Sequence, residues 1–152
     1  MKAVIQRVRY ASVEVDGQVI GACGHGLMIL LGVAEEDTWE EGNTLLQKIV
    51  KLRIFEDENG KMNRSVQDVG GEMLVISQFT LLANCRHGNR PDFLGAAKPQ
   101  VAKELYERFV AEASAALSHV GHGEFGADMK VSLLNDGPVT IVLDTRDLRP
   151  KK

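Results

Sequence analysis

The sequence predicts an α+β fold: one domain, a mainly antiparallel and barrel-like β-sheet, and two helices covering it. Three observations carry this expectation. Short runs of alternating β-branched and polar residues fill the start and the end of the chain. Two stretches, near 38–52 and after Lys98, carry apolar residues at helical spacing. The length of 152 residues is that of one ordinary domain, and no linker or internal repeat divides it. The domain is expected to span 1–148, with a disordered C-terminal tail at 149–152.

In chain order, residues 2–9 and 11–15 alternate as half-buried strands do. Asp16-Gly17 is a two-residue hairpin signal, which makes Gln18–Ala22 the return strand. Gly24-His25-Gly26 breaks the chain before Leu27–Val33, an apolar run short enough for a buried strand. Thr38-x-x-Glu41 reads as a capping box, and Asp37 adds charge that favours a helix start. Leu45, Leu46, Ile49, Val50 and Leu52 then define a helix over about 38–52. Arg53-Ile54-Phe55 is a short strand, closed by the turn residues Asp57-Glu58-Asn59-Gly60.

Gly70-Gly71 precedes Glu72–Gln78, whose centre Met73-Leu74-Val75-Ile76 reads as an interior strand. A polar loop runs from Ala83 to about Ala97, and Lys98-Pro99 opens the second helix with Pro in its first turn. Its buried stripe is read as Val101, Leu105, Phe109, Ala113, Ala116 and Leu117, and Gly121 as its stop. The chain closes with two strands, about 128–134 and 139–144, joined by a turn at Asn135-Asp136-Gly137-Pro138.

Composition excludes several classes. With 44% hydrophobic and 26% charged residues the chain can bury a core. The apolar run Leu27–Leu31 is too short to span a bilayer, and the first residues lack a signal-peptide pattern. A cytoplasmic protein with no membrane partner is therefore expected. Cys23 and Cys85 are read as reduced thiols. A net charge of -3 argues against broad nucleic-acid binding. The charge is unevenly placed, however: Glu35, Glu36, Asp37, Glu40 and Glu41 form an acidic block around one helix start, which leaves room for a local basic face elsewhere.

No familiar catalytic pattern is present: no His-Glu-x-x-His, no nucleophile elbow, no phosphate-binding loop. Cys85-x-His87 and His119-x-x-His122 fall short of a metal set or of a thiol with its base, so neither metal nor cofactor is expected. Ser77-Gln78-Phe79-Thr80-Leu81 has two readings. It is either a rigid strand end aiming backbone N–H groups and hydroxyls at a ligand, or a strand end with Phe79 in the core and hydroxyls satisfying its own backbone. Asn135-Asp136-Gly137-Pro138-Val139-Thr140 also has two. It is an ordinary turn, or a pair of carbonyl acceptors with no side chain and no amide hydrogen in the way. Such a pair would hold an amino group and leave no room for a side chain of the wrong hand. Arg86-His87-Gly88-Asn89-Arg90-Pro91 is either common surface or a loop whose arginines steer phosphate.

Together these segments resemble the D-aminoacyl-tRNA deacylase family, also called D-tyrosyl-tRNA deacylase. The resemblance runs over nearly the whole chain. It covers Ile5-Gln6-Arg7-Val8 with Ala11-Ser12-Val13, Arg53-Ile54-Phe55 with Gly60-Lys61-Met62-Asn63, and Gly88-Asn89-Arg90-Pro91 with Phe93. It rests above all on the order and spacing of Ser77–Leu81 and Asn135–Thr140, the two signature motifs.

The resemblance implies a hydrolase that cuts the ester between a D-amino acid, or glycine, and the terminal adenosine of tRNA. It implies a homodimer in which the Gly137-Pro138 turn of one chain enters the other's pocket, its bond cis, and rejects L-residues sterically. Asn135, Val139 and Thr140 would complete that wall. Ser77, Gln78, Phe79 and Thr80 would form the catalytic segment. In it, backbone N–H groups around Phe79 and Thr80 would hold the oxyanion, and Gln78 would position the ribose or ester. Water helped by the 2′-hydroxyl is the favoured nucleophile, and Thr80 the competing one. Arg7, Arg86 and Arg90 would touch the CCA end and acceptor stem of tRNA. The rival readings are a non-catalytic RNA-binding or assembly module of the same fold, and an esterase or thioesterase for small acyl groups.

Overall fold

Alternation that runs almost unbroken from residue 2 to residue 15 produces one long strand, β1 (Lys2–Val15), in place of the two shorter ones expected. The structure, a computed structural model, describes residues 1–148. The tail expected at 149–152 lies outside the described residues. Asp16 and Gly17 both take positive φ, 52° and 79°, as a tight hairpin turn demands. The chain returns as β2 (Gln18–Cys23) and β3 (Gly26–Gly32), which share one edge of β1. β2 faces residues 11–15 and β3 faces residues 2–8, so Gly24-His25 only interrupts one long return path.

Helix α1 (Trp39–Lys51) starts at the expected capping box. The Thr38 hydroxyl accepts from the Glu40 N–H, and the Glu41 carboxylate accepts the Thr38 N–H at 2.7 Å. Its buried face carries Leu45, Leu46, Ile49 and Val50, as the spacing predicts. A small hairpin follows, β4 (Phe55–Glu56) and β5 (Met62–Arg64). Then β6 (Glu72–Ser77) lies parallel to β3, and β7 (Val120–His122) parallel to β6. The sheet is therefore mixed, with its antiparallel pairings gathered around β1.

Strands β3 and β6 are apolar through their centres, residues 27–31 and 73–76, because both faces are covered there. Leu27, Ile29, Leu31, Met73 and Val75 meet the helices. Met28, Leu74 and Ile76 face Val8, Ala11, Val13 and Cys23 on the inner side of the curled sheet. Burial of each such side chain contributes about 2 kcal/mol. Closure is tight where β2 crosses β7. A Cβ on Gly21 would run into the His122 carbonyl oxygen, and one on Gly121 would lie 2.5 Å from that of Ala22.

Gly121 thus serves sheet closure and is not the expected helix stop. Helix α2 (Pro99–Ala116) begins at the expected proline but ends before Leu117. Its buried stripe is Ala102, Tyr106, Phe109 and Ala113, so only Phe109 and Ala113 of the expected set are fully buried. The reason is polar. The Tyr106 hydroxyl donates to the Val75 carbonyl at 2.8 Å, and this bond turns the helix about its axis, leaving Val101 exposed. Among the described residues no helix is long and apolar enough to cross a membrane.

One long strand replaces the two expected at about 128–134 and 139–144 with a turn at 135–138. β8 (Lys130–Asp144) runs along the free edge of β1 in a single direction, pairing Leu133 with Ala11, Asn135 with Val8 and Thr140 with Gln6. Residues 136–139 stand outside the ladder, because the long strand β1 holds both halves and Pro138 has no N–H to offer. What reads as a turn is an excursion from one strand.

Candidate functional site

Two segments stand out. The first grows from the end of β6, where the Gln78 N–H donates to the Leu31 carbonyl at 2.8 Å and finishes the parallel ladder. A 3-10 turn, Phe79–Leu82, follows at once. Its first internal bonds run from Leu81 N–H to Gln78 and from Ala83 N–H to Thr80. The N–H groups of Phe79 and Thr80 precede them and have no backbone partner among the described residues. The Gln78 amide donates a short hydrogen bond to the Thr80 hydroxyl, which couples the two side chains. Phe79 does not enter the core: it is 59% exposed and meets Phe93 edge to face at 5.0 Å.

The second segment is the β8 excursion. Its neck is closed by side chains: the Asn135 amide donates to the Thr140 hydroxyl at 3.0 Å, and Asn135 Oδ1 accepts the Val139 N–H at 3.2 Å. Gln6 reaches the same hydroxyl. Gly137 and Pro138 project into solvent, joined by a cis peptide bond. Gly137 has φ 121°, and a Cβ there would lie 2.8 Å from Arg7 Nη2 and 3.0 Å from Val139 Cγ2. Only glycine fits.

Arg7, expected on an open basic patch, is instead 6% exposed beneath this loop. Its guanidinium donates to the carbonyls of Ile54 (2.8 Å) and Asp136 (3.2 Å), with the Asp136 carboxylate 3.7 Å away. Buried charge with those partners is a strut, not a phosphate contact. The sequence does carry the signal: Ala3, Ile5 and Arg7 alternate onto one face of β1, and that face is the core. Arg86 and Arg90, by contrast, are exposed as expected. Their loop is pinned by a two-way backbone bridge between Asn84 and Asp92, which local sequence pattern does not reveal.

Within one chain the two segments do not meet. Thr140 shares a rung with Gln6, Met28 and Leu74, whereas Ser77 lies three strands across and further along β6. At about 4.8 Å per strand and 3.3 Å per residue, they are on the order of 20 Å apart. Neither Cys85 with His87 nor His119 with His122 gathers further ligands; among the described residues no group of three or more His, Cys, Asp or Glu could hold a metal. His119 and His122 instead bond to the carbonyls of Ala22 and Gly123 at the β7 edge. Burial, with the Glu72 charge nearby, pushes the Cys23 thiol up to about 11.

Fold and site define a class: a single-domain α+β protein whose hydroxyl and amide groups cluster on a strand end and its 3-10 turn. The chain matches the model of the D-Tyr-tRNA(Tyr) deacylase family over residues 4–144, and it belongs to that family. A D-aminoacyl-tRNA deacylase of Sulfurihydrogenibium sp. (strain YO3AOP1) is 60% identical over 97% of this chain and 100% of its own length. One of Fusobacterium nucleatum subsp. nucleatum is 54% identical over 99% of this chain and 100% of its own. Among solved structures, a c-Myc DNA unwinding element binding protein is 45% identical, with a TM-score of 0.88 over 95% of this chain and 98% of that one. A probable eukaryotic D-amino acid tRNA deacylase has a TM-score of 0.81 over 93% and 97% at 16% identity, a likeness of fold alone.

Proposed function

We propose that this protein is a cytoplasmic D-aminoacyl-tRNA deacylase, an ester hydrolase that frees tRNA from D-amino acids and from glycine. Family membership supports the activity, and the Gly137-Pro138 excursion is the observation that carries the mechanism. Its exposed carbonyls stand on a base braced by Arg7 and Asn135, and a side chain at position 137 would collide with that base. Such a wall accepts an α-amino group and rejects the side chain of an L-residue, while D-side chains point away from it. Asn135, Val139 and Thr140 complete the wall. The separation of the two segments in one chain supports a site assembled from two, in which the loop of one protomer closes over Ser77–Leu81 of its partner.

In the reaction, water attacks the ester carbonyl carbon and the oxyanion forms beside the N–H groups of Phe79 and Thr80. The intermediate collapses by breaking the bond to the ribose oxygen. That oxygen takes the proton, relayed by the neighbouring 2′-hydroxyl. Gln78 and Ser77 hold the ester and ribose in place. Thr80 is bonded to Gln78 and has no base beside it, which favours water over a Thr80 nucleophile. tRNA is the partner, engaged through its CCA end by exposed cations including Arg86 and Arg90.

A second reading, a non-catalytic nucleic-acid-binding module of the same fold, is favoured by the likeness to the 45% identical structure, which is named as a DNA unwinding element binding protein. Hydrolysis of matched D-Tyr-tRNA and L-Tyr-tRNA, with a Gly137→Ala variant alongside, separates the two. Cleavage of the D-ester alone, lost in the variant, is expected. Cleavage of neither ester would hand the protein to the binding-module reading.

A further inference from the structure

Beside the candidate site lies a trough of about 500 Å³, of whose lining the proposed function uses only Arg86. It starts where the catalytic segment ends: Leu82, Ala83 and Asn84 line it directly after Phe79 and Thr80. Three cations line it too, Lys2, Arg86 and Arg146, from three separate parts of the chain. Their settings differ. Asp144 grips Arg146 through Nε and Nη2, at 3.2 and 2.7 Å, leaving Nη1 as the uncommitted donor. Arg86 is held at its backbone, where Asn84 Oδ1 accepts its N–H at 3.0 Å, while its side chain has no acid partner among the described residues. Lys2 likewise has none.

Two of the five acids in the block next to the trough are spent locally. Asp37 pairs with the Met1 ammonium at 2.8 Å, and Glu41 caps α1. Glu36 alone of that block lines the trough, and it offsets Arg146 in part. Three cations against the two carboxylates of Glu36 and Asp144 leave the lining with a small net positive charge, carried by Lys2 and Arg86. A cationic groove leading straight out of an ester-cleaving site is suited to a flexible polyanion whose end is being processed.

We propose that this trough binds the sugar-phosphate backbone of the single-stranded RNA 3′ end, with Lys2, Arg86 and Arg146 making the phosphate contacts. The proposal rests on the deacylase reading for the identity of the RNA, and it puts the main basic surface here, away from the buried Arg7. Because phosphate contacts carry no base information, recognition here is uniform in sequence and steep in salt. Glu36 sets an upper limit on the affinity.

The test is binding of a short RNA ending in CCA, followed by fluorescence anisotropy between about 50 and 200 mM salt. Each of Lys2→Gln and Arg86→Gln is expected to weaken binding several-fold and to lower the salt slope by about 0.7. Arg86→Lys should restore the slope, Glu36→Gln should tighten binding, and Lys51→Gln at the far end of α1 should change nothing. Slopes unchanged in both Gln variants, with melting temperatures intact, overturn the trough. A parallel assay keeps the deacylase reading separate: KM for D-Tyr-tRNA should rise in Arg86→Gln while that for D-tyrosyl-adenosine stays put. Equal loss on both substrates also overturns it. If the parent cleaves neither substrate yet RNA binding responds as expected, the trough stands and the deacylase reading falls.

Discussion

Gly137 is restricted to glycine by two independent demands, a positive φ and the closeness of Arg7 Nη2. Alanine there is expected to cost about 1–3 kcal/mol of backbone strain and to displace the wall, so D-ester cleavage should be lost while the melting temperature falls. Arg7→Met tests the strut by itself. Leaving the carbonyls of Ile54 and Asp136 without their donor should destabilise the fold by about 3 kcal/mol in urea unfolding. It should also let L-ester cleavage appear. Thr80→Ala should retain near-parent activity, because the backbone N–H groups survive the substitution; a loss of about 10⁴-fold would make Thr80 the nucleophile.

The two thiols should differ as well. Cys23 is buried and its thiol pushed up to about 11, so in native protein at neutral pH an alkylating reagent should reach only the exposed Cys85. The same shift carries a pH signature. The unfolded thiol loses its proton near its ordinary value of 9.0, whereas the folded one keeps it to about 11. Between these values the native state binds more protons, so stability should fall as pH rises through that window. Urea midpoints across it, with Cys23→Ala as the variant that flattens the decline, measure this.

At the scale of elements, α1 is legible in the sequence because everything that makes it lies within a few residues: a capping box at Thr38 and an apolar stripe. Thr38→Ala should cost about 1 kcal/mol in thermal unfolding. The start of α2 is legible for the same reason, through Pro99. Its buried face is not, since the bond from Tyr106 to Val75 decides the rotation and joins residues 31 positions apart. The 3-10 turn at Phe79–Leu82 leaves no local signature either, which is why a core position for Phe79 stays open in the sequence while its ring is exposed in the fold. Gly26 shows what only pairing reveals: a Cβ there would run into the Glu72 carbonyl oxygen, at the first rung of the parallel β3–β6 ladder. Gly26→Ala should therefore abolish folding or nearly so, read as loss of a cooperative unfolding transition.

For the whole molecule, β8 pairs with β1 alone among the described residues, which leaves its other edge open along both halves, and Leu134 and Val142 stand 47% and 70% exposed along it. A free edge of that length invites a second chain unless something blunts it. Together with the separation of the two motif segments, this supports the proposed dimer. Light scattering should give twice the 16.7 kDa chain mass. Leu134→Lys or Val142→Lys should shift the protein to monomer and take the activity with it, whereas an active monomer would end the shared-site mechanism.

The sequence by itself determined the single α+β domain, the first hairpin, both helix starts, the buried strands and the two motif segments. Each depends on periodicity, caps or turn chemistry within a few neighbouring residues. Tertiary structure alone decided the rest: that the Asn135–Pro138 segment is an excursion of one strand, that Arg7 lies beneath it, and that Gly21 and Gly121 let the sheet curl shut. Those outcomes join residues that are far apart along the chain, as Arg7 and Asp136 are. Local pattern cannot encode them, because a strand's partner and a helix's rotation are chosen by which surfaces bury together.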